Sequence, residues 1–380
     1  MNIVVVGTNT WNKGAQLMQV AIGQHFAEVS GHQLYVPDEY GSFLERCDQN
    51  LGVLLNPRLP SRQAFGLSLL GKSYRLRHGL AFESEVDTIL DASGFAFGDQ
   101  HPVKRTINFA KDVKRWKKQG KAVILLPQAL GSFEKPLLRD AFSEIIALVD
   151  RVYAREKQSF DYANSLGVYS EKLKMAPDFT CLVKPLATSE LRSLDRVCIV
   201  PNQRMIEKVI GESVADDYLS FLVNACSASE SIGLEPVLLT HGVHDEPLVE
   251  KVSSALKGNL SVITTCCPVT IKAEIGRSKM VIGSRFHALV SALTQSVPVV
   301  ATSWSHKYEM LMAEYGLSEL LLDSTVTQES LSAVLQHIIN NYDGLVSKIS
   351  VKASKVEQQA QAMWREVDEL ISDRSCLGQS

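Results

Sequence analysis

Short apolar runs alternate with longer stretches of helical periodicity along most of this chain. Residues 3–6 are all apolar and β-branched, which predicts a strand covered on both faces. Gly7, a polar loop over 8–13 and a helical pattern over 14–29 follow, the opening of a doubly wound α/β unit. Similar runs predict strands at 33–36, 51–55, 86–90, 122–126, 151–154 and 173–175. The polar stretch 185–195 has no periodic apolar face and is expected to link two domains. A second series then predicts strands at 197–200, 236–239, 260–263, 279–282 and 297–301, with helices between them and terminal helices over 328–340 and 348–371. The pattern therefore predicts two Rossmann-like domains, over 1–184 and 196–345, facing across a cleft, with a helix and tail over 346–380.

In open α/β sheets, ligands gather at the carboxyl ends of the strands. The stretch 280–293 is the most informative such end. Gly283 and Ser284 break an apolar run, and Phe286, Leu289, Val290 and Leu293 then recur at helical spacing. Ser284 is the expected N-cap. Arg285 and His287 fall in the first turn, where free N–H groups and the helix dipole already favour an anion. An arginine adds a forked cation, and an imidazole can carry a proton near neutral pH. Arg155 repeats the design at the end of 151–154. Other strand-end loops hold Asn12 and Gly14, Ser93 and Gly94, His101, Gln128, Asp178, Thr240-His241-Gly242, and His306 with Lys307. The first loop matches neither G-x-G-x-x-G nor the Walker pattern.

Composition narrows the class. At 380 residues the chain exceeds one ordinary core, and its 45% hydrophobic and 21% charged content is that of a globular protein. A net charge of −3 argues against a nucleic-acid partner. Seven cysteines without C-x-x-C spacing read as thiols in a reducing cytoplasm. A strand at the very start leaves no room for a signal peptide, and no apolar stretch of about 18 residues suggests a membrane span. Basic residues gather over 58–78: Arg58, Arg62, Lys72, Arg75, Arg77 and His78 lie among leucines. The bland expectation is a solvated surface segment. The sharper one is contact with an anionic, lipid-linked substrate or the inner face of a membrane.

Taken in order, Asn12-Lys13-Gly14-Ala15-Gln16, Leu126-Pro127-Gln128-Ala129-Leu130-Gly131, Tyr153-Ala154-Arg155-Glu156 with Ser159, Ala176-Pro177-Asp178, Ser284-Arg285-Phe286-His287-Ala288 and Trp304-Ser305-His306-Lys307-Tyr308 resemble the polysaccharide pyruvyl transferase family. The resemblance implies a glycosyltransferase-B-like fold. It implies phosphoenolpyruvate as donor and a hexose of a surface glycan or its precursor as acceptor, whether lipid-linked, nucleotide-linked or polymeric. The product would be a pyruvate ketal, with phosphate released. The family's R-x-H motif falls on Arg285 and His287, its R-(D/E)-x-x-S segment on Arg155, and its glycine-rich loop on Ser93-Gly94, with one glycine where several are usual. Ala15 stands where many relatives carry an acid.

The chemistry of the residues agrees. A donor with a phosphate and a carboxylate calls for at least two cations, Arg285 and Arg155. Protonation of its methylene calls for an acid, His287. Asp178, Asp99 and His101 are candidate bases. No cluster at metal-ligand spacing appears, so neither a metal nor a cofactor is expected. The alternative is a glycosyltransferase of the same architecture using a nucleotide-activated sugar, with Glu309 as a candidate ribose-binding carboxylate.

Overall fold

A computed structural model describes residues 1–29, 31–55, 66–167, 171–185, 195–208, 214–256, 260–303 and 305–377. The chain groups into two compact units. The first joins Met1–Thr10, Met18–Phe179 and Gln359–Ser380, and the second joins Trp11–Leu17 and Thr180–Gln358. The division departs from the expected 1–184 and 196–345. The first loop groups with the second unit, and the end of the chain groups with the first. Most of the expected linker lies outside the described residues.

Among the described residues, the first unit holds a nine-stranded sheet. Its strands are β1 (Asn2–Val6), β2 (Gln33–Pro37), β3 (Gly52–Leu54), β4 (Leu80–Ala81), β5 (Thr88–Asp91), β6 (Phe95–Phe97), β7 (Ala122–Leu130), β8 (Arg151–Ala154) and β9 (Leu173–Met175). The order is β4-β3-β2-β1-β5-β7-β8-β9, all parallel, with β6 paired to β7. Buried runs such as Ile3–Val5 and all of β5 and β7 are what a sheet covered on both faces requires. Strand order reverses between β1 and β5. β7 runs through Pro127, where the sequence pattern predicted a loop. Its register against β8 shifts between Leu125 and Gln128, which accommodates a residue without an N–H, while Phe95 and Phe97 supply new partners to Ala129 and Leu130.

The first unit is finished by the end of the chain. A single helix spans Tyr342–Leu377, longer than the expected 348–371. Its Trp364 stacks on His25 with ring centroids 4.1 Å apart and meets Phe179 edge-on. Glu366 accepts from the Tyr153 hydroxyl at 2.9 Å and pairs with Arg151 at 2.7 Å. Asp368 meets His25 at 2.9 Å.

The second unit holds β10 (Arg196–Val200), β11 (Glu235–Thr240), β12 (Ser261–Thr264), β13 (Met280–Gly283) and β14 (Val299–Ala301), in the order β12-β11-β10-β13-β14, again all parallel. This order reverses between β10 and β13, so the loops leaving those two strands flank the crevice where such sheets bind ligands. Helices Val214–Ser231 and Phe286–Leu293 supply the apolar faces that cover it.

The basic segment is only partly a charged surface. Arg58 and Arg62 lie outside the described residues. Arg75, on the helix Lys72–Arg77, is buried: its guanidinium bonds Glu85 and the Leu70 carbonyl and sits over the Phe82 ring. Leu69 and Tyr74 are exposed, as are Lys72, Arg77 and His78. Among the described residues no helix is long and apolar enough to cross a membrane.

Candidate active site

The turn after β13 is built by distant residues. Gly283 leaves room for the neighbouring strand, since a Cβ there would lie 3.0 Å from the Val200 carbonyl. The Ser284 carbonyl accepts from the Asn202 side-chain amide at 2.5 Å and from the Tyr308 hydroxyl at 2.7 Å. The Ser284 hydroxyl bonds the buried Tyr218 hydroxyl at 2.5 Å. Ser284 is thus fully buried and committed to protein partners. It is not the N-cap: Arg285 holds that position, and no side chain caps the helix Phe286–Leu293. The expected cap is displaced because Tyr218, from another helix, takes the serine hydroxyl first.

Arg285 is anchored from below by Asp245, which is fully buried. The same Asp245 Oδ1 accepts the Gln203 backbone N–H at 2.9 Å. His287 is half-buried and meets the Phe286 ring edge-on. Gly14 packs directly on it: a Cβ on Gly14 would stand 2.2 Å from His287 Nδ1. Asn12 holds this approach in two ways. Its side-chain oxygen accepts the Gly14 N–H at 3.2 Å, and its backbone forms a bridge with Gly242. Lys13, also buried, donates to Gln16 at 2.8 Å. Lys307 lies over the Phe286 and Tyr308 rings, 5.5 and 5.3 Å from their centroids, and His306 opens the helix His306–Glu314 beside it in sequence. Trp304 lies outside the described residues.

His241, the first residue after β11, belongs to the same cluster. It is 4% exposed. Burial, followed by the positive charges of Arg285, His287 and Lys13, pushes its pKa well below the usual histidine range. The imidazole is therefore neutral beside the cations Arg285 and Lys13. Sequence reasoning placed His241 and Lys13 in strand-end loops but gave them no role. It missed Asp245, Asn202 and Tyr218, whose contacts with this turn span 40 to 82 residues of chain and leave no local pattern.

The first unit gathers the remaining expected residues at the ends of its own strands. Gly7, with φ +86°, passes so close to Ser93 that a Cβ would meet the serine hydroxyl at 2.2 Å. Ser93 and Gln128 donate to Asp91 at 2.6 and 2.9 Å. Asp91 is fully buried, and that burial raises its pKa despite both bonds. Gly94, with φ +70°, turns the loop above Met18. Arg155 donates to Asp178 at 3.1 Å, both being buried. Asp99 accepts the backbone N–H groups of Glu134 and Lys135 at 2.7 and 3.2 Å. Burial is the largest single effect and opposes its ionisation, but these donors, with Ser132 and the Lys135 charge, together outweigh it and hold Asp99 below the usual carboxylate range. Asp99 is thereby a poor base. His101 packs edge-on to Phe95.

Two strand-end clusters, each beside the point where its parallel sheet reverses order, define an α/β protein of the glycosyltransferase-B type with two Rossmann-like domains. The family model for polysaccharide pyruvyl transferase matches residues 43–306, and the chain belongs to that family. It is 20% identical over 272 residues to the amylovoran biosynthesis protein AmsJ of Erwinia amylovora; the match covers 63% of this chain and 62% of that protein. Among solved structures it is similar to S. aureus MnaA in complex with UDP (TM-score 0.61, 14% identity, covering 98% of this chain and 96% of that one). It is also similar to Anabaena HepE with UDP-glucose (TM-score 0.57, 12% identity, 98% and 100%). These likenesses describe the fold.

Proposed function

We propose that this protein transfers pyruvate from phosphoenolpyruvate to a hexose of a surface polysaccharide or its precursor, forming a pyruvate ketal and releasing phosphate. The observation that carries the reading is the turn after β13. It presents Arg285, anchored by buried Asp245, and His287, packed against Gly14, at the start of one helix. Arg285 binds an anionic group of the donor, and His287 protonates the methylene carbon. Family membership supports the same reading. Asn12, Gly14, Lys307 and His306 are proposed donor or acceptor contacts, as are Ser93, Gly94, Gln128 and His101 in the first unit. Arg155, held by Asp178, is the second proposed cation. Lys72 and Arg77, beside exposed Leu69 and Tyr74, would be the contact with an anionic surface.

The experiment has two parts. Calorimetry should show phosphoenolpyruvate binding that Arg285→Ala weakens by about 10- to 150-fold, the worth of one charge-assisted contact at roughly 1.5–3 kcal/mol. Arg155→Ala tests the second cation in the same way, with thermal unfolding recorded because each variant strands a buried carboxylate. Phosphate release from phosphoenolpyruvate is then followed against a panel of hexose acceptors, with product masses. A second reading, transfer from a nucleotide-activated sugar, draws on the UDP complexes of the structural neighbours. Exposed Glu309 would be its ribose contact. Tight binding of UDP-glucose with none of phosphoenolpyruvate would favour it.

A further inference from the structure

We propose that His241 is the base that takes the proton from the attacking hydroxyl of the acceptor, an inference that rests on the pyruvyl-transfer reading above. His241 leaves β11, the strand paired to β10 on the side away from the reversal, and the following residue, Gly242, is bridged to Asn12. The loop that carries it also carries Asp245, the anchor of Arg285. One short segment thus sets both the anion clamp and this imidazole. Among the described residues, His241 Nδ1 finds no partner in another residue, although the side chain is almost fully buried. The titratable and charged groups that act on it are Arg285, His287 and Lys13, with Asp245 engaged by Arg285.

The carboxylate candidates are spent. Asp178 holds Arg155, Asp99 holds two backbone N–H groups, and Asp91 holds Ser93 and Gln128. His241 is different because its surroundings keep it unprotonated and available. They also couple it to the donor. Burial is the larger cause of its weak basicity and neighbouring positive charge the next; an anion bound beside Arg285 and Lys13 offsets the second, so donor binding raises the basicity of His241. Two histidines in one cluster then hold opposite roles, one giving a proton and one taking it.

The proton count closes. His287 gives its proton to the methylene carbon. The first hydroxyl oxygen bonds to the adjacent carbon, and its proton passes to His241. As the bond from that carbon to the phosphate oxygen breaks, the electron pair leaves with phosphate, which takes the proton from His241. The second hydroxyl closes the ring, and its proton restores His287.

The test is turnover of His241→Gln on whichever panel acceptor supports phosphate release, together with phosphoenolpyruvate affinity and the pH profile. Turnover should fall by roughly 10²–10⁴-fold, affinity should stay within a few-fold, and the acidic limb of the profile should change. As a second measurement, nitrogen-labelled histidine spectra of the wild-type protein should show the His241 titration moving upward when phosphoenolpyruvate is added. Near-normal turnover with an unchanged acidic limb, or a His241 resonance indifferent to a donor that demonstrably binds, overturns the base assignment alone. Absence of both donor binding and phosphate release overturns the pyruvyl-transfer reading and the base with it.

Discussion

The two strand-end clusters sit at equivalent places in their sheets and differ in how their charges are spent. In the first unit each buried charge meets a partner of its own: Arg155 has Asp178, and Asp91 has Ser93 and Gln128. In the second, Lys13, Arg285 and His287 act together on His241, while Lys13 donates to Gln16 and Asp245 holds both Arg285 and the Gln203 N–H. In the first cluster the cation Arg155 is matched by a carboxylate, so an anion bound there must compete with Asp178. In the second, Arg285 and Lys13 outnumber the one carboxylate, Asp245, in a poorly solvated place, which favours an anion more strongly. A few side chains thus give equivalent positions on one architecture different charge balances, and the fold alone assigns neither.

The largest effect that would break this contrast is at His287. His287→Asn keeps hydrogen bonding but cannot protonate carbon, so turnover should drop by roughly 10²–10⁴-fold while donor affinity is largely kept. Titration calorimetry and phosphate release on the same preparation check this. If affinity falls and turnover per bound donor does not, His287 is part of the clamp only. The next effect sharpens the geometry. Gly14→Ala places a methyl where the His287 ring lies, at 2.2 Å from Nδ1, so the ring must move. Displacement of a catalytic group by about 1 Å costs on the order of 10²-fold in rate. Turnover should fall without loss of thermal stability, and unchanged turnover would show the ring to be free to yield. The smallest effect is a control in the first unit, away from both clusters. Glu83 receives Arg115 through two bonds of 2.8 and 2.9 Å. Burial opposes its ionisation, but Arg115, Trp116 and Gln119 outweigh this and hold its pKa below the usual glutamate range. A lowered folded pKa stabilises above the ordinary glutamate value and is lost as pH falls through the folded one. Glu83→Gln should cost about 1–2 kcal/mol, discounted because Arg115 is 41% exposed. It should also flatten the acid side of the stability curve and leave donor binding unchanged. Denaturant unfolding across pH checks the first two, and calorimetry with phosphoenolpyruvate checks the third.

The two parallel sheets follow from features the sequence displays openly, whereas their strand order and the short strands β4 and β6 do not. Parallel strands buried on both faces read as apolar runs, and Gly283 followed by helical periodicity marks a strand-to-helix turn. Arg285 and His287 were legible for the same reason: turn and helix are local. What surrounds them was not. The hydroxyl of Ser284 looked free to cap a helix, but Tyr218, 66 residues away, claims it. Arg75 looked like surface charge because its partner Glu85 lies ten residues on, in an acidic stretch with no pattern of its own. Pro127 looked like the end of a strand because the partner strand that carries it onward, β6, is only three residues long. His241 lay in a loop already visible, but its burial among cations depends on three separate segments meeting.

The placement of Trp364, Glu366 and Asp368 in the first unit has a consequence for how the protein is made. A ribosome delivers residues 1–179 first, yet the partners of His25, Tyr153, Arg151 and Phe179 come from the far end of the chain. At about 5–20 residues per second, the intervening 180 or so residues take roughly 10–40 s to synthesise. For that interval the nascent first unit presents His25 and Phe179 without the tryptophan that covers them. Of the two units, the one synthesised earlier is the last to be completed, and Phe179 stays uncovered by Trp364 throughout that wait.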